Sequence, residues 1–76
     1  MDIKEFVAHF AEQFEDTDVS VFTPETKFRE LDEWSSLLAL SIIAMVDEEY
    51  EVTLKGVEMK AANTIAELYE IVKAKQ

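Results

Sequence analysis

The sequence predicts an all-α fold, a four-helix bundle with three longer helices, one short third helix and a long loop between the first two. Apolar residues recur at three- and four-residue intervals almost throughout, one Gly and one Pro interrupt the chain, and no alternating stretch is long enough to build a sheet. The 76 residues are expected to form one domain, residues 1–76. A domain of this size removes only about 60% of its unfolded surface from water, so its core is thin.

Ile3, Phe6, Val7, Phe10 and Phe14 fall on one face of a first helix predicted from about Asp2 to Phe14, with Asp2 and Glu5 placed to favour its start. From Glu15 to Ser35 the periodicity lapses into a Thr23-Pro24-Glu25-Thr26 turn and isolated apolar residues. Val19, Val21, Phe22, Phe28 and Leu31 are expected to strap this connection across the bundle, with a short helical turn near Phe28 to Leu31.

The second helix is predicted from Ser36 to about Tyr50, with Ala39, Ile42, Ile43, Val46 and Tyr50 facing inward. Leu37, Leu40, Ala44 and Met45 extend its apolar surface beyond one stripe, a surplus that such helices often present to a partner or ligand. Periodicity alone does not orient a helix that is apolar all round, and Leu40 also suits the core. A short helix follows Gly56 and is expected to end near Asn63 in a left-handed stop. Thr64 and Glu67 form a capping box for a last helix running to about Lys75, where Lys73 and Lys75 suit the C-terminal dipole.

Seventeen acids against seven bases give a net charge of -10, which disfavours nucleic acid and anionic membranes and favours basic protein surfaces as partners. The absence of Cys removes disulfides and thiolate metal sites. The charged start Met1-Asp2-Ile3-Lys4-Glu5 does not resemble a signal peptide, and the longest apolar run is far below the ~20 residues of a membrane span. A cytoplasmic, monomeric protein without membrane insertion is therefore expected.

No acid–base pair, nucleophile–base pair or metal set is assembled by these residues, so independent catalysis is not expected. His9 lies among Glu5, Glu12 and Gln13 and, without a second His or Cys, reads as a solvated side chain. Asp47, Glu48, Glu49 and Glu51 lack the spacing of a calcium loop, and suit only weak divalent-ion stabilisation by relief of repulsion. Trp34 suits packing on the bundle or flanking whatever lies at the second helix's start.

The junction at Ser35-Ser36 offers a hydroxyl at the mouth of an amphipathic helix, where another enzyme can reach it. Taken alone, such a serine reads as an N-cap. Its setting resembles the acyl carrier proteins and their peptidyl and aminoacyl relatives along the whole chain. The features carrying the resemblance are the amphipathic first helix, the long loop, the Phe28-to-Leu31 step, the Ser36-Leu37 dipeptide, the acidic Asp47-Glu48-Glu49-Tyr50 helix end and the short third helix.

The resemblance implies that Ser36 receives 4′-phosphopantetheine from coenzyme A and carries acyl groups as thioesters on the arm's thiol. A phosphopantetheinyl transferase supplies base and metal, and the carrier is a cosubstrate of acyl-loading and acyl-transfer enzymes in fatty acid, polyketide or related biosynthesis. Adjacency to Leu37 favours Ser36 over Ser35, which is then a cap or turn residue. The family's usual Asp-Ser-Leu is here Ser35-Ser36-Leu37, which implies a dedicated transferase or reliance on Asp32 and Glu33.

Leu38 and Ser41 stand where family members often carry acids. Docking is therefore expected through an apolar strip of Leu37, Leu40 and Ala44 beside Ser41, with Asp47 and Glu48 pairing basic partner residues. Two other readings are a carrier-like helical interaction module that is never modified and an unrelated four-helix domain.

Overall fold

Helix α1 spans Ile3–Ala11, α2 Ser36–Tyr50, α3 Gly56–Ala61 and α4 Ile65–Lys75, with single 3-10 turns at Val19–Val21 and Phe28–Glu30. The computed structural model describes residues 2–76, and Met1 lies outside them. Among the described residues there is no strand, as the hydrophobic spacing predicts. Helix α1 packs against α2 and α4, and α3 packs against α4.

The starts of α1 and α4 are explained by the groups that take their leading amides. Asp2 caps α1 by accepting the Lys4 amide at 3.0 Å. At α4 the predicted capping box is present: Thr64 Oγ1 accepts the Glu67 amide at 3.1 Å, and the Glu67 carboxylate accepts the Thr64 amide at 3.2 Å. The two α4 amides before Glu67 are satisfied by the long connection, Ile65 N–H donating to the Thr26 carbonyl at 3.2 Å and Ala66 N–H to the Pro24 carbonyl at 2.8 Å. That connection is thus tied to the helix it crosses.

Helix α1 stops three residues short of the predicted Phe14. Beyond Ala11 the amides of Gln13 and Phe14 turn to carbonyls three residues back, and those of Glu15 and Asp16 are captured by the Glu33 carboxylate at 2.9 and 3.1 Å. A side-chain acceptor has replaced the next helical turn. Phe14 stays buried, its ring 5.7 Å from Phe10 and 4.9 Å from Phe22.

The left-handed stop also falls elsewhere than predicted. Ala62 ends α3 in an extended conformation, whereas Glu51 ends α2 at φ 56°. Asn63 instead uses its side chain, accepting Arg29 Nη2 at 2.7 Å. Glu51 takes a conformation costly for a residue with a Cβ because the chain must turn sharply to bury Val52 and Leu54. Neither of these two was assigned to the core by periodicity, since both lie between helices.

Phe6, Phe10, Phe28, Ile42, Val46, Ile65, Leu68 and Val72 are fully buried. Met45, predicted on the surplus face of α2, is buried too, 5% exposed. It flanks Ile42 and Val46 and widens the inward stripe. Full burial of a Phe or Leu side chain contributes roughly 1.5–3 kcal/mol, so the loop residue Phe28 weighs as much as any helical one.

Tyr50 closes α2 with its ring 5.7 Å from Phe6, but its buried hydroxyl takes no hydrogen bond. Burial, helped by Glu5 and Glu49, pushes its phenol above the ordinary tyrosine range. An unsatisfied buried hydroxyl costs about 1–3 kcal/mol. Tyr50→Phe should therefore leave stability unchanged or raise it by about 1 kcal/mol in denaturant unfolding; a clear loss would show that the hydroxyl has a stabilising partner.

Candidate functional site

The 3-10 turn at Phe28–Glu30 is the foundation of the site. Phe28 is buried with its ring 5.3 Å from Phe10 and 5.0 Å from Trp34. Arg29 extends the opposite way, donating from Nη1 to the Met59 carbonyl at 2.9 Å and from Nη2 to Asn63. The turn is thereby fixed to α1 on one side and to the end of α3 on the other. Trp34 packs on the aromatic cluster, lying parallel to Phe10 at 6.5 Å, and so holds the residue before the two serines.

Ser35 and Ser36 have different structural roles. Ser35 is extended and is the N-cap of α2, its Oγ accepting the Leu38 amide at 3.4 Å. Ser36 is the first residue of the helix and is exposed. Among the described residues its hydroxyl takes no hydrogen bond, and the Ser36 and Leu37 amides donate to no acceptor. All the leading amides of α4 are occupied, whereas the first two of α2, those of Ser36 and Leu37, are left open with their partial positive charge.

The six residues expected on a partner face lie on one side of α2, opposite Ile42 and Val46. Leu37 is 72% and Leu40 62% exposed, Ala44, Asp47 and Glu48 are exposed, and Ser41 is half-buried. Leu40 is therefore a surface residue, not part of the core. Val57 of α3 adds a further exposed apolar side chain at 72%, which sequence reasoning did not single out because a six-residue helix gives too short a pattern to orient.

Of the two carboxylates expected near the serines, only Asp32 is exposed without a protein partner. Glu33 turns towards the end of α1, accepting Thr17 Oγ1 at 2.7 Å besides the Glu15 and Asp16 amides. The Thr17 hydroxyl above all, and then those amides, hold its carboxyl below the ordinary glutamate range. His9 is a second correction. It is only partly solvated, 30% exposed in the α1–α2 seam, Nδ1 3.6 Å from Glu12, Nε2 3.8 Å from Glu49, its ring edge-on to Tyr50 at 5.8 Å. It borders Phe6 and Phe10 on the helix surface, which places it at the margin of the buried face.

A surface groove opens beside Ser36, floored by Trp34, Ala39, Ile43 and Met59 and edged by Leu40. It runs between the start of α2, the Phe28–Glu30 turn and α3. Among the described residues no set of three His, Cys, Asp or Glu side chains is placed to hold a metal ion, and no helix is long and apolar enough to cross a membrane.

Among the described residues, four helices, the third of them short, and a tethered long loop define an acyl-carrier-like bundle. Residues 4–72 match the family described as PP-binding, phosphopantetheine attachment site, and the chain belongs to that family. No curated protein and no solved structure matches the chain. Membership makes it a phosphopantetheine-carrying domain, non-catalytic in itself, of a kind that interacts with phosphopantetheinyl transferases and partner enzymes. Its cofactor is covalent 4′-phosphopantetheine. The donor set fits that group: an exposed, unbonded hydroxyl beside two open helix amides suits a phosphodiester.

Replacing Glu33 by Ala should lower the melting temperature at neutral pH by releasing Glu15, Asp16 and Thr17. Because the folded carboxyl is held below its unfolded value, the difference from wild type should be fully present above the ordinary glutamate range. It should shrink as pH falls through the folded value. A difference that is constant between neutral and acidic pH would contradict the assignment.

Proposed function

We propose that residues 1–76 form one acyl carrier domain, loaded at Ser36. The observation that carries the reading is the exposed Ser36 hydroxyl at the first residue of α2 in a chain of the phosphopantetheine attachment family. Ser35 Oγ accepts the Leu38 amide as the cap, whereas Ser36 Oγ takes no hydrogen bond and is the freer nucleophile.

In loading, Ser36 Oγ attacks the β-phosphorus of coenzyme A. The P–O bond to the nucleotide breaks, 3′,5′-adenosine bisphosphate leaves, and the serine proton passes to a base on the transferase. The open amides of Ser36 and Leu37 favour the phosphodiester's negative charge. The arm supplies a thiol on which acyl groups ride as thioesters between enzymes of fatty acid, polyketide or related acyl-transfer biosynthesis.

Partner enzymes dock on the exposed face of α2, with Leu37, Leu40 and Ala44 seated in an apolar recess and Ser41 beside them. Asp47 and Glu48 meet basic residues at the far end. The carrier acts in the cytoplasm as a monomer and as a cosubstrate of those enzymes.

Incubation with coenzyme A and a broad-specificity phosphopantetheinyl transferase should add one arm by intact mass, and Ser36→Ala should add none. A folded wild type that stays bare with several transferases would instead support the unmodified interaction module. Leu37→Asp should lower kcat/KM for loading by about tenfold or more, the effect of losing an interface anchor worth more than about 1.4 kcal/mol. Unchanged kinetics in a folded variant would remove Leu37 from the docking face.

A further inference from the structure

We propose that His9 is a proton-operated tie between α1 and α2. Charged, it bridges one carboxylate on each helix; neutral, it leaves those carboxylates without a counter-charge. The inference rests on where the two ring nitrogens lie and is independent of which serine is loaded. Nδ1 is 3.6 Å from Glu12 Oε1 on α1, and Nε2 is 3.8 Å from Glu49 Oε1 on α2.

A neutral imidazole has one N–H and one lone pair, so in either tautomer one nitrogen turns a lone pair toward a carboxylate. Only the charged ring offers an N–H to both. Imidazole is the side chain that ordinarily changes charge between pH 5 and 8, a range in which carboxylates, with ordinary values of about 4, stay ionised. The chain has one histidine, so this response belongs to a single position.

The surroundings give the charge on that ring its weight. Glu12, Glu48 and Glu49 line the hollow at the seam beside His9, and no Lys or Arg lines it. Glu5 lies one turn earlier on α1, close enough to Tyr50 for its charge to act on the phenol. The groups facing His9 are thus Glu5 and Glu12 from α1, and Glu48, Glu49 and Tyr50 from α2. Tyr50, with its phenol held above the ordinary tyrosine range, adds no charge between pH 5 and 8. Loss of the proton from His9 therefore leaves the seam lined by acids alone, in a chain whose net charge is already -10.

The ring is also held where the tie needs it. Its edge-on contact with Tyr50 at 5.8 Å sets it against α2, and Gln13 Nε2 donates to the His9 carbonyl at 3.2 Å. At 30% exposed it remains open to protons from solvent. Glu49 follows Asp47 and Glu48, so pH sets how firmly the acidic end of α2 is held to α1.

The test measures denaturant midpoints of the full chain as wild type, His9→Gln, Glu49→Gln and the double variant, at about pH 5.5 and about pH 8 and matched ionic strength. The wild type should exceed His9→Gln at the lower pH, and that gap should shrink about twofold or more at the higher. Adding His9→Gln to Glu49→Gln should cost less at the lower pH than adding it to the wild type, and high salt should narrow every gap. In the unsubstituted protein, the Glu12 and Glu49 side-chain carboxyl carbon signals should move with the His9 ring signals by NMR as the ring takes up its proton.

A gap equal or wider at the higher pH would overturn the proposal. An effect of His9→Gln that is undiminished in Glu49→Gln would overturn the tie to α2. Carboxyl signals that do not follow the ring would overturn the bridge even if a variant failed to fold.

Discussion

The fold depends on how the long connection between α1 and α2 is held down. Its carbonyls at Pro24 and Thr26 satisfy the first two amides of α4, its Phe22 and Phe28 enter the core, and Arg29 reaches the Met59 carbonyl. Glu33 then fastens the end of α1 by taking two amides and a hydroxyl. A connection this long would ordinarily be mobile. Here backbone and side-chain anchors tie it to α1, α3 and α4, and together they determine where residue 36 emerges.

One consequence is an asymmetry between helix starts. Helix α4 has its leading amides closed by the connection and by its own capping box, while α2 is capped by Ser35 alone and leaves its first amides open. The closed start is structural, and the open one meets an exposed hydroxyl. A second asymmetry runs along α2, whose exposed side is apolar from Leu37 to Ala44 and acidic from Asp47 onwards. Anion-friendly chemistry is therefore concentrated at one end of the helix and acidic repulsion at the other, which separates the proposed place of phosphate attachment from the proposed place of electrostatic docking.

Much of this was legible in the residues. The start of α2, the capping box at Thr64 and Glu67 and the helical turn at Phe28 follow from short-range rules, and the structure places them as predicted. Where local rules compete with side chains distant in sequence they give the wrong answer. Phe14 left the helix because Glu33, far along the chain, offered its amides a better acceptor. Asn63 was read as a backbone stop, but Arg29 claimed its side chain, and Glu51 took the left-handed position that a glycine rule does not flag. Met45 and His9 were misplaced because α2 is apolar all round and because His9 borders the buried face of α1. Ser35 as a cap or turn residue follows from the resemblance at Ser36-Leu37, and the structure adds the Leu38 amide that its hydroxyl accepts.

The central claim is that backbone geometry makes one of two neighbouring hydroxyls available and occupies the other. Site-localised fragmentation of the loaded chain by tandem mass spectrometry tests this most directly. The account predicts the arm on residue 36, with residue 35 unmodified in every loaded molecule. Finding the phosphodiester on residue 35, or divided between the two, would contradict it.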